Sequence, residues 1–245
     1  MGVRERRERE KDLTRQKILD AARDLFVEQG YDAVTLRRIA QAIEYSPTAI
    51  YGYFKTKAEL MKALCARDFE AFAANLSRFA DVPDPVERIL LAGQEYLRFA
   101  MEHPNQFRFM FMTKPAPEAV TTDEGEMSEQ GRGDPNRDAY AFLMECVRQA
   151  IAQGRVREDL QNDADLVVQM LWAGVHGVAS LHIARAENDP WFRWKGVQVL
   201  GEAMCQAILR GILRDPPARL RPTSSVTPPA TSSRTPQPSV PRNAP

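Results

Sequence analysis

From Thr14 to Arg214 apolar side chains return every three or four residues and nowhere alternate over the length of a strand. That is the period of a helix burying one face, so the chain is expected to fold as packed helices. Ile18, Ala21, Ala22, Leu25 and Phe26 set the pattern. With 245 residues, the chain is long enough to build a core without disulfides or a structural metal. The expected class is all-α: an N-terminal three-helix domain holding a helix-turn-helix, then a C-terminal helical bundle for ligand binding and dimerisation.

Capping residues divide the pattern. Thr14 stands as an N-cap and Gly30 as a terminator for a helix over residues 15–29. Thr35 caps a short helix to about Ala42, and Ser46-Pro47 opens another, with proline at the first helical position. Thr56-Lys57-Ala58-Glu59 reads as a capping box before a long helix toward Phe79. Asp84-Pro85 begins a helix that His103-Pro104 interrupts near Glu102. Residues 113–135 read as a loop, and helices resume over residues 137–153, 163–186 and 190–213.

Composition marks the two ends. Residues 216–245 hold 9 of the 17 prolines and almost no large apolar side chains, so they are expected to be disordered. Residues 1–13 form a charged arm; across residues 4–17 seven basic groups outnumber four acidic ones, leaving contact with DNA open beside a solvated leader. The domains expected are thus 1–13, 14–60, 61–214 and 215–245. Lys+Arg and Asp+Glu both total 33, so a nucleic-acid surface would have to be local. The N-terminus is charged and no run of about 18 apolar residues stands out, giving a soluble, cytoplasmic expectation without membrane contact. Cys65, Cys146 and Cys205 are odd in number and scattered, unlike a disulfide framework or a metal site.

The stretch over residues 39–60, with Tyr45-Ser46-Pro47-Thr48-Ala49-Ile50-Tyr51-Gly52-Tyr53-Phe54-Lys55-Thr56-Lys57, resembles the DNA-reading segment of the tetracycline-repressor (TetR) family. The likeness takes in Ile18 to Phe26 and Gly30 to Leu36 as well. It implies that the second short helix enters the major groove of double-stranded operator DNA while flanking groups hold phosphates. The resemblance gives Thr35, Tyr51 and Lys57 the phosphate role, and Tyr45 and Ser46 join the DNA-facing set. Tyr51 and Tyr53 offer hydroxyl donors, and Lys57 adds charge in the first turn of its helix. Arg37 and Arg38 suit a guanine edge, with Arg37 preferred; the methyl groups of Thr48 and Ala49 suit thymine. Phe54, Ile39, Ile43 and Ile50 are read as core. Glu44 replaces the glycine frequent in this turn, suggesting a differently built turn, and Gly52 replaces a larger side chain.

In the C-terminal half, Trp172, His176 and Gly177 resemble the Trp-His-Gly signature of one class of TetR effector domains, with support from residues 96–99, 103–104 and 107–111. Trp172 and His176 share a helix face; packing explains the pair more simply than ligand contact, which stays open. Phe99, Phe107, Met110 and Phe111 are candidates to line a pocket for a small apolar or amphipathic effector. Val197, Leu200, Met204, Ile208 and Ile212 form a stripe expected to make a homodimer interface, with packing inside the chain as the alternative. No nucleophile–base pair, metal-ligand spacing or cofactor fingerprint is present, so neither an enzyme nor a metal or cofactor is expected. A ligand-released repressor is the leading expectation; a protein-interaction module or a thiol redox sensor are the rivals.

Overall fold

The computed structural model of the chain describes residues 2–113, 133–186 and 191–216. Most of the expected loop over residues 113–135, and the tail from residue 217, lie outside the described residues. The elements are α1 (Val3–Gln29), α2 (Leu36–Ala42), α3 (Pro47–Tyr51), α4 (Lys57–Ser77), α5 (Pro85–Glu102), α6 (Pro104–Met112), α7 (Ala139–Ala152), α8 (Ala164–Leu181) and α9 (Val197–Ile212). Among the described residues the fold is all-helical, with one isolated β-bridge, Val156 to Leu213.

Six of the nine described helices start at a side-chain cap. Thr35, Ser46, Thr56, Asp84, Asp138 and Asp163 each accept a hydrogen bond from a backbone amide at the start of a helix. Thr14 does not cap: its hydroxyl donates to the carbonyl of Glu10 at 2.9 Å, and α1 runs on to Val3. The charged arm is therefore the first three turns of α1, held by exposed i,i+4 pairs such as Arg4–Glu8 and Arg6–Glu10. At the other end, α9 begins at Val197 rather than Pro190, and residues 191–196 are irregular. The His182 ring ties them down, its nitrogens at 2.9 Å from the carbonyls of Val178 and Lys195.

Two cores form. One gathers Ile18, Leu19, Phe26, Ile39, Ile50, Phe54 and Leu60 from α1–α4. The larger centres on α5, which is buried on nearly every side by α4, α7, α8 and α9. Close helix crossings depend on missing side chains: a Cβ on Gly201 would stand 2.0 Å from Leu97 Cδ1, and one on Gly174 2.1 Å from Ile208 Cδ1. The buried Glu95 carboxylate is neutralised by Arg78 and Arg98 together.

The helix over residues 164–185 holds no unbroken apolar run, yet its length and a mean hydropathy of 1.4 over 18 residues would suffice to cross a membrane, as is true of many buried core helices. Packing accounts for one side of this helix, where Val167, Val168, Leu171, Val175, Val178 and Ala179 enter the core.

Candidate nucleic-acid interface and ligand cavity

At the head, the hydroxyls of Thr35 and Ser46 accept from the amides of Arg38 at 3.1 Å and Ala49 at 3.2 Å. These caps start two helices too short to persist alone, and packing of Leu36, Ile39, Ala40, Ile50 and Phe54 holds them together. Between them Glu44 adopts φ 58°, so the turn has the left-handed geometry glycine would give, built with a residue that bears the strain. The expectation of a different turn is corrected.

Burying that apolar set leaves the polar set outside. Thr35, Arg37, Arg38, Tyr45, Ser46, Thr48 and Tyr51 are exposed, while Ala49 and Tyr53 are half-buried. Tyr51 is 55% exposed, an uncommon position for an aromatic with no role at the surface. Lys57 differs from expectation: its Nζ donates to the carbonyl of Tyr31 at 2.8 Å and lies 4.0 Å from the centre of the Tyr31 ring. Its charge is used inside the head, bracing the α1–α2 turn against α4. Sequence reasoning passed over Lys55, which is exposed beside Tyr53, and Arg15, whose guanidinium stands 5.0 Å over the Phe54 ring. The signal for Lys55 was its place directly after the aromatic pair.

In the body a cavity of about 340 Å³ opens among α4, α5, α6, α7, α8 and α9. Six aromatic rings line it: Phe69, Phe72, Tyr96, Phe111, Tyr140 and Trp172. Of the expected pocket residues, Phe111 and Trp172 reach the cavity. Phe99 and Phe107 are core, and half-buried Met110 touches both cores. They were misassigned because a helical pattern shows that a face is apolar, not whether another side chain or a void lies against it.

His176 stands behind the cavity wall. Trp172 Nε1 donates to the Tyr96 hydroxyl at 3.1 Å, that hydroxyl lies 2.8 Å from His176 Nδ1, and His176 Nε2 lies 3.1 Å from Ser180 Oγ. With Tyr96 donating onward, the imidazole carries its proton on Nε2 and donates to Ser180, so the chain is satisfied by a neutral ring. Burial acts in the same direction, lowering His176 below its ordinary 6.5 and raising Tyr96. Asp138, the one carboxylate on the lining, is committed as a cap: it accepts from the amides of Tyr140, Ala141 and Gly133. Burial pushes the Cys205 and Cys146 thiols up to about 11, away from the thiolate that redox chemistry needs.

One short helix joins the two regions. On α6, Phe107 lies against His176 with ring centres 5.5 Å apart, Phe111 lines the cavity, and Phe109 enters the head core, stacked 6.3 Å from Phe26. Alongside it Arg23 of α1 makes two 2.7 Å bonds to the buried Asp68 of α4, and Asp20 and Arg67 complete the network. α6 thus carries side chains of both the cavity lining and the head core.

Of the stripe expected to meet a second copy, Ile212 is buried, while Val197, Leu200, Met204 and Ile208 are half-buried, resting partly on the chain's own core where α9 crosses α5 and α8. Exposed apolar side chains in this region include Leu166, Met170, Trp172 and Leu181 on α8, Trp191 and Phe192 before α9, and Val199 on α9.

This fold and site define a class: a helix-turn-helix reader carried on a helical body with an apolar cavity. Residues 18–64 match the family described as bacterial regulatory proteins, tetR family, and residues 89–191 match the tetracyclin repressor-like C-terminal domain. The HTH-type transcriptional repressor Rv1474c of Mycobacterium tuberculosis is 32% identical over 164 residues, 65% of this chain and 80% of that one. The HTH-type transcriptional repressor AcnR of Corynebacterium efficiens is 30% identical, over 60% and 71%. SmeT, the repressor of the Stenotrophomonas maltophilia multidrug efflux pump SmeDEF, shares the fold with a TM-score of 0.60 at 24% identity, over 87% and 96%. The chain belongs to the TetR family and is a DNA-binding transcriptional regulator.

Proposed function

We propose that the protein is a homodimeric repressor, released from a palindromic operator when a small uncharged apolar molecule enters the body cavity. The observation that carries this reading is α6, which places Phe111 at the cavity and Phe109 in the head core on one rigid turn. A ligand that shifts Phe111 changes how the head sits, and a coupling of about 1–3 kcal/mol is enough to release DNA. The protein acts by binding rather than catalysis.

In this reading the head spans residues 14–60 and the effector body residues 61–214. Arg37 and Arg38 read bases, Thr48 and Ala49 meet a thymine methyl, and Thr35, Tyr45, Ser46, Tyr51 and Tyr53 hold phosphates. Lys55 takes the phosphate role expected of Lys57. The Trp-His-Gly signature then has a division of labour: Trp172 touches ligand, while His176 positions it through Tyr96. The lining specifies the effector's chemistry. Six aromatic rings, no Lys or Arg on the lining among the described residues, a consumed carboxylate and the protonated Cys205 thiol favour a neutral, ring-containing molecule. The outer face of α8 and α9, with Leu166, Met170 and Val199, supports pairing of two copies, which sets two recognition helices on a two-fold operator.

The test is selection of bound genomic fragments by purified protein, followed by footprinting. A palindromic footprint, weakened about tenfold by Tyr51→Phe and erased by a neutral aromatic ligand whose effect Trp172→Ala removes, supports the reading. Sequence-independent binding alone overturns it.

A further inference from the structure

The first turns of α1 are exposed on all sides, yet their charges are not evenly spread. At about 100° per residue, Arg4, Arg7, Lys11 and Arg15 fall within roughly 80° of the helix circumference, and the nearest carboxylate, Glu8, sits just beyond its edge, paired with Arg4 at 3.4 Å. That arc is also the one that carries Ile18 and Ala22 into the head core further along. The basic edge is therefore a continuation of the face that α1 turns toward α2–α4. Its direction follows from two contacts. Near its C-terminal end α1 meets the body, through Phe26 on Phe109 and Asp24 on Asn105, and one end of the edge lies at Arg15, over Phe54 just after α3. From Arg15 the helix runs back toward Val3, away from the body, for roughly 18 Å.

We infer that this extension of α1 is a second DNA contact: Arg4, Arg7 and Lys11 grip the phosphate backbone flanking the half-site read by α3. The inference rests on the DNA-reading role proposed for the head and adds to it a sequence-independent grip. Charge complementarity names the occupant, because a one-sided row of cations continuous with the reading surface fits a polyanion lying across that surface. The opposite side of the helix mixes Arg6, Arg9 and Lys17 with Glu10 and the exposed Leu13, a pattern suited to water. The pairs Arg4–Glu8 and Arg6–Glu10 keep the extension helical, which holds the cations in line before DNA arrives.

The experiment measures affinity against salt for the full chain, using a duplex selected by the wild-type protein with about ten extra base pairs on each side, and the same duplex without them. Arg7→Ala with Lys11→Ala is expected to weaken binding to the longer duplex several-fold and to lower the slope of log K against log salt by about two. On the short duplex the variant and the wild type should agree, and Arg6→Ala with Arg9→Ala should leave the slope unchanged. Equal slopes for wild type and Arg7→Ala/Lys11→Ala on the long duplex, or the same loss from both double variants, would overturn the inference while leaving the reading head intact. Failure of the wild-type protein to bind any duplex would remove both.

Discussion

Glu44 shows how a single backbone angle carries a design. At φ 58° its side chain costs about 1–2 kcal/mol that glycine would not, while glycine costs about 0.4–1 kcal/mol through the unfolded chain. Glu44→Gly is therefore expected to stabilise the protein by about 0.5–1 kcal/mol, read as a higher denaturation midpoint with unchanged slope. Lys57 and Lys55 separate two roles that look alike in the sequence. Lys57→Ala removes a bond to the Tyr31 carbonyl and a cation–ring contact, so it should cost about 1–3 kcal/mol of stability with little effect on the salt dependence of DNA binding. Lys55→Ala should do the reverse, leaving the thermal midpoint and lowering the salt slope by about one. His176 sets a pH response. Burial lowers its folded-state affinity for protons, so the unfolded chain binds more of them, and stability is intact above pH 6.5 and lost as pH falls below it. His176→Gln should flatten that loss in urea melts taken from pH 7.5 to pH 5.

The helices differ in how much of their behaviour is local. α2 and α3 are stopped and started by Thr35, Ser46 and Pro47, and their boundaries were legible from those residues alone. α1 was not, because Thr14 has the chemistry of a cap, and only the continuing i,i+4 pairs on its N-terminal side keep the helix going. α9 is set by distant partners: its apolar stripe rests partly on the chain's own core, and its crossing with α5 needs Gly201 beneath Leu97. Gly201→Ala should cost about 1–3 kcal/mol, seen as a lower thermal midpoint, since Leu97 is itself buried and its methyl has little room to move.

At the scale of the whole molecule, the proposed dimer places the outward side chains of α8 and α9 between the two copies. Leu166→Glu with Val199→Glu places charges on the exposed apolar face and should yield a folded monomer by sedimentation, with operator affinity lost because one reading head remains. Ile208→Ala, on the half-buried stripe, should lower stability and leave the mass of the assembly unchanged. The reverse pattern would return the interface to that stripe.

What the residues determined by themselves is everything governed by neighbours within a turn or two: the helical period, the caps, the helix-turn-helix and the polar set around Thr48 and Tyr51. Those follow from backbone hydrogen bonding and short-range sterics, which the local sequence contains in full. Only the tertiary structure decided which apolar faces meet each other. It put Phe99 and Phe107 in the core and Phe69, Phe72 and Tyr140 around the cavity, turned Lys57 inward, and laid part of the α9 stripe on the chain's own core. Burial is indifferent to sequence distance: a hydrophobic face records that it must be covered, and the partner that covers it can come from any part of the chain or from a second copy.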